Sequence, residues 1–508
     1  MTEYSQRTMP PGKRFVIVFV VDGLRPDAIS AEDTPTLHRL GREGVDFANS
    51  HAVFPTVTRV NAATLATGAQ PGTHGIIGNR IYIPAADPKH ALDTGNYHHL
   101  LKVDAVTGGG LVRTRTLAER LARHGLRFAG VSSGSTGSAF LLNSKAPSGV
   151  GALVNGYFDP GKVVAYPAEA SAAILSKLGA APAKAGGDRY DSAVSWTQRA
   201  LREYVLPELR PDVVINWLTE PDHSQHAIGV GSPAAREALR HDDREIALTL
   251  ATVDELGLTD RADVFVVSDH GFTSNVAGVD VARELVEAGI KAALDSPDVI
   301  LASSGQAVAL HIKDQDPGCI ADIARLAQSR EWGGALFSPA RGAGDPRGVV
   351  EGTFSLDLIH LASAERGCDL LLTFPWSSDA NAFGVPGSDL ACTSGGARLY
   401  ASDHGSMSPW NVRNTCLAWG PDFKRGATVR APSGNVDVAP TILHLLGVED
   451  RAGMDGRVLG EALLDGPDPD KVVVQSRTPL VEAGDYRAAL QISEVDGRRY
   501  VDKSWRIV

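Results

Sequence analysis

Cysteine is scarce in this chain: four in 508 residues, Cys319, Cys368, Cys392 and Cys416, with no CxxC pair. Neither a thiolate metal site nor an oxidising compartment is required. Aromatics make up only 6% of the residues, and no internal repeat or low-complexity block stands out. Positive charge is in deficit, 49 Lys and Arg against 60 Asp and Glu, for a formal net charge of −11. A phosphate backbone needs a compensating basic face, so a nucleic acid polymer is excluded as partner. A small phosphorylated substrate is still allowed, because a bound metal reverses the local field. Long apolar runs are also missing. The run Phe15–Val21 in "KRFVIVFVVDGLRP" is short and β-branched, ends in Asp22 and lacks a small-residue cleavage site. The expectation is a buried strand in a soluble cytoplasmic protein with no membrane partner. Nothing fixes an oligomeric state.

The chain is long enough, at 43% hydrophobic, to bury a large core and to hold more than one domain. Strand-like runs ("FVIVFVV", "RFAGVSS", "DVVINWLT", "DVFVVSD") alternate with helical ones ("TPTLHRLGREG", "RTLAERLARHG", "REALRHDDREIALTLATVDELG"). This alternation predicts βαβ units in a doubly wound α/β domain. Chemistry in such sheets gathers beyond the carboxyl ends of the strands, and Asp22, Asp222 and Asp269 each follow one. From Thr273 to Val350 the text changes to a helix in "DVARELVEAGI", two strands in "VILASSGQAVALHI" and a helix in "CIADIARLAQ". The expected division is a core over 1–272, an inserted α/β cap over 273–350 and the rest of the core over 351–508. Core-like text is expected to resume with "CDLLLTF", and "DGRVLGEAL" reads as a late helix.

"SDHG" occurs twice, at Ser268–Gly271 and Ser402–Gly405. Aspartate and histidine are common ligands of borderline metal ions. Asp222 and His226 are four apart, so one helical turn puts both on one face. A strand-end turn or a cap explains any one of these pieces, but not all of them together with Asp22. In "FPTVTRVNAATLATGAQPGTHGIIGN", Thr58 precedes a helix-compatible run, Arg59 to Thr67, that closes at Gly68. Its hydroxyl could cap the helix or act as a nucleophile where a phosphate docks. Thr56 is an equal candidate on these grounds. Arg59, in the first turn, opposes the helix dipole at about 0.3–1 kcal/mol. A surface carboxylate or an anionic substrate would offset that.

These segments, with "VVDGLRPD", "EPDHSQHAIG", "VVSDHGF" and "SDHGSMSPWNVRNTCLAWGPDFKRG", stand in the order seen in the alkaline phosphatase superfamily. The chain most resembles its nucleotide pyrophosphatase/phosphodiesterase branch, to which phosphonoacetate hydrolase is related. The resemblance implies a doubly wound, mostly parallel sheet sandwiched by helices, with an inserted smaller cap. It implies two divalent metal ions, usually Zn2+. One would be held by Asp222, His226 and His404, the other by Asp22, Asp269, His270 and the nucleophile. It selects Thr58, the second threonine of P-T-x-T, as nucleophile and Asn79 as donor to a non-bridging phosphoryl oxygen. Asp403 would orient an imidazole, and His74 would be structural.

The implied activity is hydrolysis of phosphodiester or pyrophosphate bonds in small organic phosphates through a phosphothreonine. The alternatives are a phosphonate (C–P bond) hydrolase, a phosphomonoesterase and, further off, a phosphosugar mutase or a metal-binding protein without catalysis. A sulfatase is disfavoured, since Thr58 and Val60 stand where its C-x-P motif would be. Arg59 replaces the aromatic that usually follows the nucleophile in nucleotide-cleaving relatives, and is expected to bind a carboxylate or a second phosphate. The segment "GVSSGSTGSAFLLN" lacks the lysines of phosphonoacetate hydrolase; the first one after it is Lys145.

Overall fold

A computed structural model describes residues 14–156, 164–182 and 190–507. The run Phe15–Val21 is a strand buried along its whole length, as expected when apolar residues show no period-2 alternation. Its residues part in two directions. Val16, Val18 and Val20 join the core that takes in Ala62, Ala63 and Leu65 of the Thr58–Thr67 helix. Phe15, Ile17, Phe19 and Val21 join a second core with Leu37 and Leu40 of the helix Pro35–Glu43, and Leu239 and Ile246 of the long helix Pro233–Glu255. The strand therefore lies between two helical layers.

It sits centrally in a sheet of nine strands, in the order Ala427–Val429, Val45–Phe47, Cys416–Trp419, Ala262–Val267, Phe15–Val21, Val213–Leu218, Phe128–Ser132, Ala152–Asn155 and Ala165–Tyr166. The central pairings are parallel, with Val20 opposite Val267 and Val21 opposite Leu218. Antiparallel pairs enter through Cys416–Trp419 and at the Ala165–Tyr166 edge. The doubly wound, mostly parallel sheet expected from the alternation is present.

After Ala262–Val267 the chain leaves this sheet. Thr273–Val279 starts a four-stranded sheet with Trp376–Ala380, Pro386–Cys392 and Ser402–Asp403. Between them lies a five-stranded sheet in which Leu370–Thr373 pairs with Ala307–Ile312. Two expectations are corrected here. "CDLLLTF" does not resume the core at 351, because its strand completes the inserted sheet, and the chain rejoins the nine-stranded sheet only at Cys416–Trp419. "DGRVLGEAL" forms no helix beyond the single turn Gly460–Ala462. Residues 475–507 add an antiparallel sheet that was not anticipated. Among the described residues no helix is long and apolar enough to cross a membrane.

The insertion departs and returns at neighbouring points. Thr273 pairs with Asp403 and Ser274 with Ser402, antiparallel. That register brings the two SDHG loops side by side.

Candidate active site

Asp22, Asp222 and Asp269 follow three adjacent strands, so sheet register alone clusters them. The Asp222 N–H donates to the Asp22 carbonyl at 3.1 Å, locking two of the strand ends together. Asp222 opens the helix Asp222–Ile228, whose first turn carries His226 onto the same face. Asp222 Oδ1 is then 3.4 Å from His226 Nε2, 3.5 Å from His404 Nε2 and 4.0 Å from His270 Nε2. Asp22 Oδ1 is 3.6 Å, and Asp269 Oδ2 3.0 Å, from His270 Nε2. The rings of His270 and His404, one from each SDHG loop, stack with centroids 3.6 Å apart.

Each of these histidines has its Nδ1 against a backbone carbonyl: His226 on Ser402, His270 on Gly271 and His404 on Thr56, at 2.9–3.0 Å. A carbonyl only accepts, so Nδ1 carries a proton and Nε2 is the ring atom turned towards the carboxylates. Asp403, expected to orient an imidazole, stands beside one of them. Its Oδ1 accepts from the His404 backbone N–H at 2.9 Å and lies 3.8 Å from His226 Nδ1. Carbonyls are the direct acceptors from the imidazoles, with the Asp403 carboxylate beside His226.

The donor set fits divalent metal. Asp22 Oδ2 accepts from Trp217 Nε1 and Asp269 Oδ1 from the Gly23 N–H. The remaining oxygens, Asp22 Oδ1 and Asp269 Oδ2, and also Asp222 Oδ1, are buried with no hydrogen-bond donor. A buried anionic oxygen without a donor is costly unless a cation faces it. Two sets of ligand atoms converge: Asp222, His226 and His404, as expected, and Asp22, Asp222 and His270, where Asp269 was expected in place of Asp222. Burial, then the charges of Asp269 and Asp222, pushes the Asp22 carboxyl well above its usual range. Burial, then His270, holds His404 well below that of a free imidazole. Burial opposes a charge on His226, but the Asp222 carboxylate lifts it to about 9. This is the electrostatics of a site that needs positive charge between its acids.

Thr58 is the first residue of its helix, after an extended Val57, and no side chain caps the end. Its Oγ1 is 3.4 Å from His270 Nε2. Thr56, fully buried, donates its hydroxyl to the Ser406 carbonyl at 2.8 Å. The two threonines thus separate: Thr56 ties the second SDHG loop down, while Thr58 faces the acids and imidazoles. Asn79 Oδ1 accepts from the Arg59 N–H at 3.3 Å, leaving its amide NH2 as donor. Thr58, Arg59, Asn79, Asp22, His226 and His404 all line one cleft of about 930 Å3. His74 sits away from it, fully buried. Its Nδ1 accepts from the Ile76 N–H and its Nε2 faces Thr64 Oγ1, both at 3.1 Å, the satisfied structural histidine expected.

Four buried asparagines escaped notice in the sequence. The Asn435 amide donates to Asn61 Oδ1 (3.0 Å), the Ser268 carbonyl (3.1 Å) and the Asp269 carbonyl (3.1 Å). It therefore fastens the Thr58 helix to the first SDHG loop. Asn414 donates to the same Ser268 carbonyl and to Asn435 Oδ1. Asn411 joins the two loops, its backbone carbonyl accepting from Gly271 N–H (2.8 Å) and its Oδ1 from Gly405 N–H (3.1 Å). The only sequence cue was "NVRN" beside the second SDHG, which reads equally as a turn.

Three carboxylates and three imidazoles on the carboxyl edge of a doubly wound sheet, facing a hydroxyl on a helix N-terminus, define a metallohydrolase-like α/β protein. The family described as type I phosphodiesterase / nucleotide pyrophosphatase matches residues 16–331, and the chain belongs to it. Human ectonucleotide pyrophosphatase/phosphodiesterase family member 7 is 27% identical over 257 residues, 50% of this chain and 46% of that protein. The venom phosphodiesterase of Macrovipera lebetinus is 24% identical over 262 residues, 50% of this chain and 25% of that one. The match thus spans about half or less of the length of these curated relatives. In fold, an inactive variant of murine ectonucleotide pyrophosphatase/phosphodiesterase 5, in complex with AMP, superposes with a TM-score of 0.58 at 15% identity, covering 86% of this chain and 96% of that one.

Proposed function

We propose that the protein hydrolyses phosphodiester or pyrophosphate bonds of small organic phosphates, with Thr58 as nucleophile. One observation carries the reading: of two adjacent candidate hydroxyls, only Thr58 is turned towards the convergent carboxylates and Nε2 atoms. Asp222, His226 and His404 would hold one divalent ion, and Asp22, Asp269, His270 and Thr58 another, zinc matching these N and O donors. Bound there, the ions supply Lewis-acid polarisation and lower the pKa of a hydroxyl or water.

The chain's own residues do the rest. Thr58 Oγ attacks phosphorus, an O–P bond forms to the threonine, and the leaving oxygen departs with the bond's electron pair. Asn79 presents its NH2 to a non-bridging oxygen, where negative charge must be held through the transition state. The N-terminus of the Thr58 helix adds the positive end of its dipole at the same place. Water then cleaves the phosphothreonine, giving phosphate monoester and free Thr58.

Support for a nucleotide-like substrate is the family and the AMP held by the structural neighbour. The C–P bond alternative draws none from segment 132–145. Its Gly134, Ser135 and Ser138 line the cleft, but Lys145 donates to the Gly109 carbonyl instead. The test is initial rates on zinc-reconstituted protein, with bis-p-nitrophenyl phosphate and p-nitrophenyl phosphate side by side. A diester preference that Thr58→Ala reduces by more than about 1,000-fold is expected. Equal rates for wild type and Thr58→Ala would sink the nucleophile. No turnover of either ester by metal-loaded protein would sink the diesterase reading.

A further inference from the structure

Beyond the scissile group, the cleft is built for a second negative charge. We infer that Arg59 forms an anion subsite, so that the preferred substrates carry a second anionic group, phosphoryl or carboxylate, next to the phosphorus attacked by Thr58. This rests on the phosphohydrolase reading above and adds the substrate class.

The first observation is the state of Arg59. Its backbone N–H is fixed on Asn79, so its side chain leaves from the point where the phosphoryl group is held. Its Nε is buried without an acceptor, and it forms no ion pair among the described residues. A guanidinium has five donors; Nε is sealed off, no side-chain acceptor takes the others among the described residues, and the residue lines the cleft, where an oxyanion from outside the chain can meet them. Its place in the first helical turn, against the macrodipole, makes that demand stronger.

The second observation is the seat the fold provides. A Cβ on Gly95 would stand 2.4 Å from Arg59 Nη2 and 3.1 Å from its Cζ, so the guanidinium lies against the bare glycine and would have to shift if a side chain were added there. Asp93, the nearby carboxylate, spends its Oδ1 on the Gly95 N–H at 2.8 Å. It shapes the turn under the arginine and does not pair with it.

The third is the remainder of the wall. Arg80, Lys89 and Arg398 line the same cleft and are exposed. Apart from the metal-site carboxylates and Asp403, its one acid among the described residues is Asp295. A protein with a net charge of −11 thus shows a locally basic wall beyond its metal site. A guanidinium accepts a carboxylate or a phosphoryl group in the same two-point geometry, so both substrate types belong to the inference.

The experiment compares three p-nitrophenyl esters on zinc-loaded protein: p-nitrophenyl methyl phosphate, its carboxymethyl analogue, and p-nitrophenyl methyl diphosphate. Arg59→Ala should lower kcat/KM for the two doubly charged esters by about 10- to 100-fold more than for the methyl ester. Gly95→Ala, which displaces the guanidinium but leaves its charge, should do the same, and Arg59→Lys should recover part of the loss. A loss confined to one of the two assigns the second group as carboxylate or phosphoryl. Equal losses across all three esters, or none, would overturn the subsite while leaving the hydrolase reading intact. If no ester turns over, that reading fails instead, and binding still decides the subsite. Titrating Thr58→Ala and Thr58→Ala/Arg59→Ala with methylphosphonate and 3-phosphonopropanoate must then show a tenfold or greater loss for the carboxylate-bearing probe alone.

Discussion

Two threonines two positions apart offer the same hydroxyl chemistry, and what distinguishes them is a carbonyl 350 positions along the chain. Ser406 takes the Thr56 hydroxyl, so local sequence could not decide between them; only the motif resemblance named Thr58. Thr56→Val keeps the shape and removes the bond, which should lower unfolding free energy by about 1–3 kcal/mol while turnover persists. Thr58→Ala should do the reverse, abolishing turnover with little change in thermal melting. Turnover lost in a folded Thr56→Val and kept in Thr58→Ala would exchange their roles. Asn411 makes a second case. It bonds Gly271 through its carbonyl and Gly405 through its amide oxygen, and its Nδ2 reaches Thr273 Oγ1 and Gln306 Oε1. Asn411→Asp retains the acceptor for Gly405 but loses both donor bonds. It is expected to lower zinc stoichiometry at limiting metal more than it lowers the melting temperature. A variant that melts early yet binds two zinc ions as tightly as wild type would show a purely structural residue. The acids and imidazoles of the cleft were legible because Asp and His stand out at strand ends; the asparagines that fasten their loops were not, because their partners are backbone atoms of distant loops.

At the level of elements, the Thr58–Thr67 helix shows both what patterning reveals and what it hides. All of its residues but Arg59 are buried, so it has no polar face for a periodicity argument to find. Its end was nevertheless readable, since Gly68 takes a left-handed φ of 65° as helix-terminating glycines do. A Cβ on Gly68 would also come within 2.9 Å of Pro440 Cδ. Gly447, after the helix Val438–Leu445, has a φ of 67° and nothing within 4 Å of its Cβ position. Gly447→Ala should therefore cost about 1–2 kcal/mol of backbone strain, and Gly68→Ala measurably more in the same denaturant titration. Equal losses would mean that Pro440 yields freely and the contact does not matter. The sheet over 475–507 was missed although a signal was there. Asp496 and Gly497, both with positive φ, form the Asp-Gly turn of a two-residue hairpin between Tyr486–Val495 and Arg498–Ile507. Charged residues on both strands masked the alternation that the turn should have prompted.

Over the whole molecule, a change of texture places a boundary near 273, but the strand Leu370–Thr373 pairs with Ala307–Ile312 beyond the end expected at 350, because an apolar strand carries no mark of the sheet it will join. What no pattern reports at all is the charge state of groups sealed inside that architecture, and these set the acid and alkaline limits of the fold. Burial holds His74 at about 3, and His311 and His360 at about 4, against 6.5 for free imidazole. Each is neutral when folded, so the unfolded chain binds more protons below pH 6.5. Stability is fully present above that value and is lost as pH falls towards 3–4. Buried acids do the opposite. Burial lifts Asp242 and Asp263 to about 7 from 3.8. The folded state keeps protons the unfolded chain has released, so their contribution is complete below pH 4 and disappears as pH rises through 7. Between about 4 and 6.5 the two slopes oppose each other, and the metal-free protein should melt at a nearly constant temperature there, with declines on both sides. Asp242 is fully buried, neither carboxyl oxygen accepts a hydrogen bond, and its Oδ1 lies 3.6 Å from His241 Nδ1, whose charge opposes the effect of burial. Asp242→Asn removes the titrating proton at nearly constant volume. Relative to wild type, its melting temperature should gain steadily as pH rises from about 4 to 7, and should run parallel to it below pH 4. An unchanged difference between the two proteins from pH 4 to 7 would mean that Asp242 is already ionised in the folded state, paired with a protonated His241.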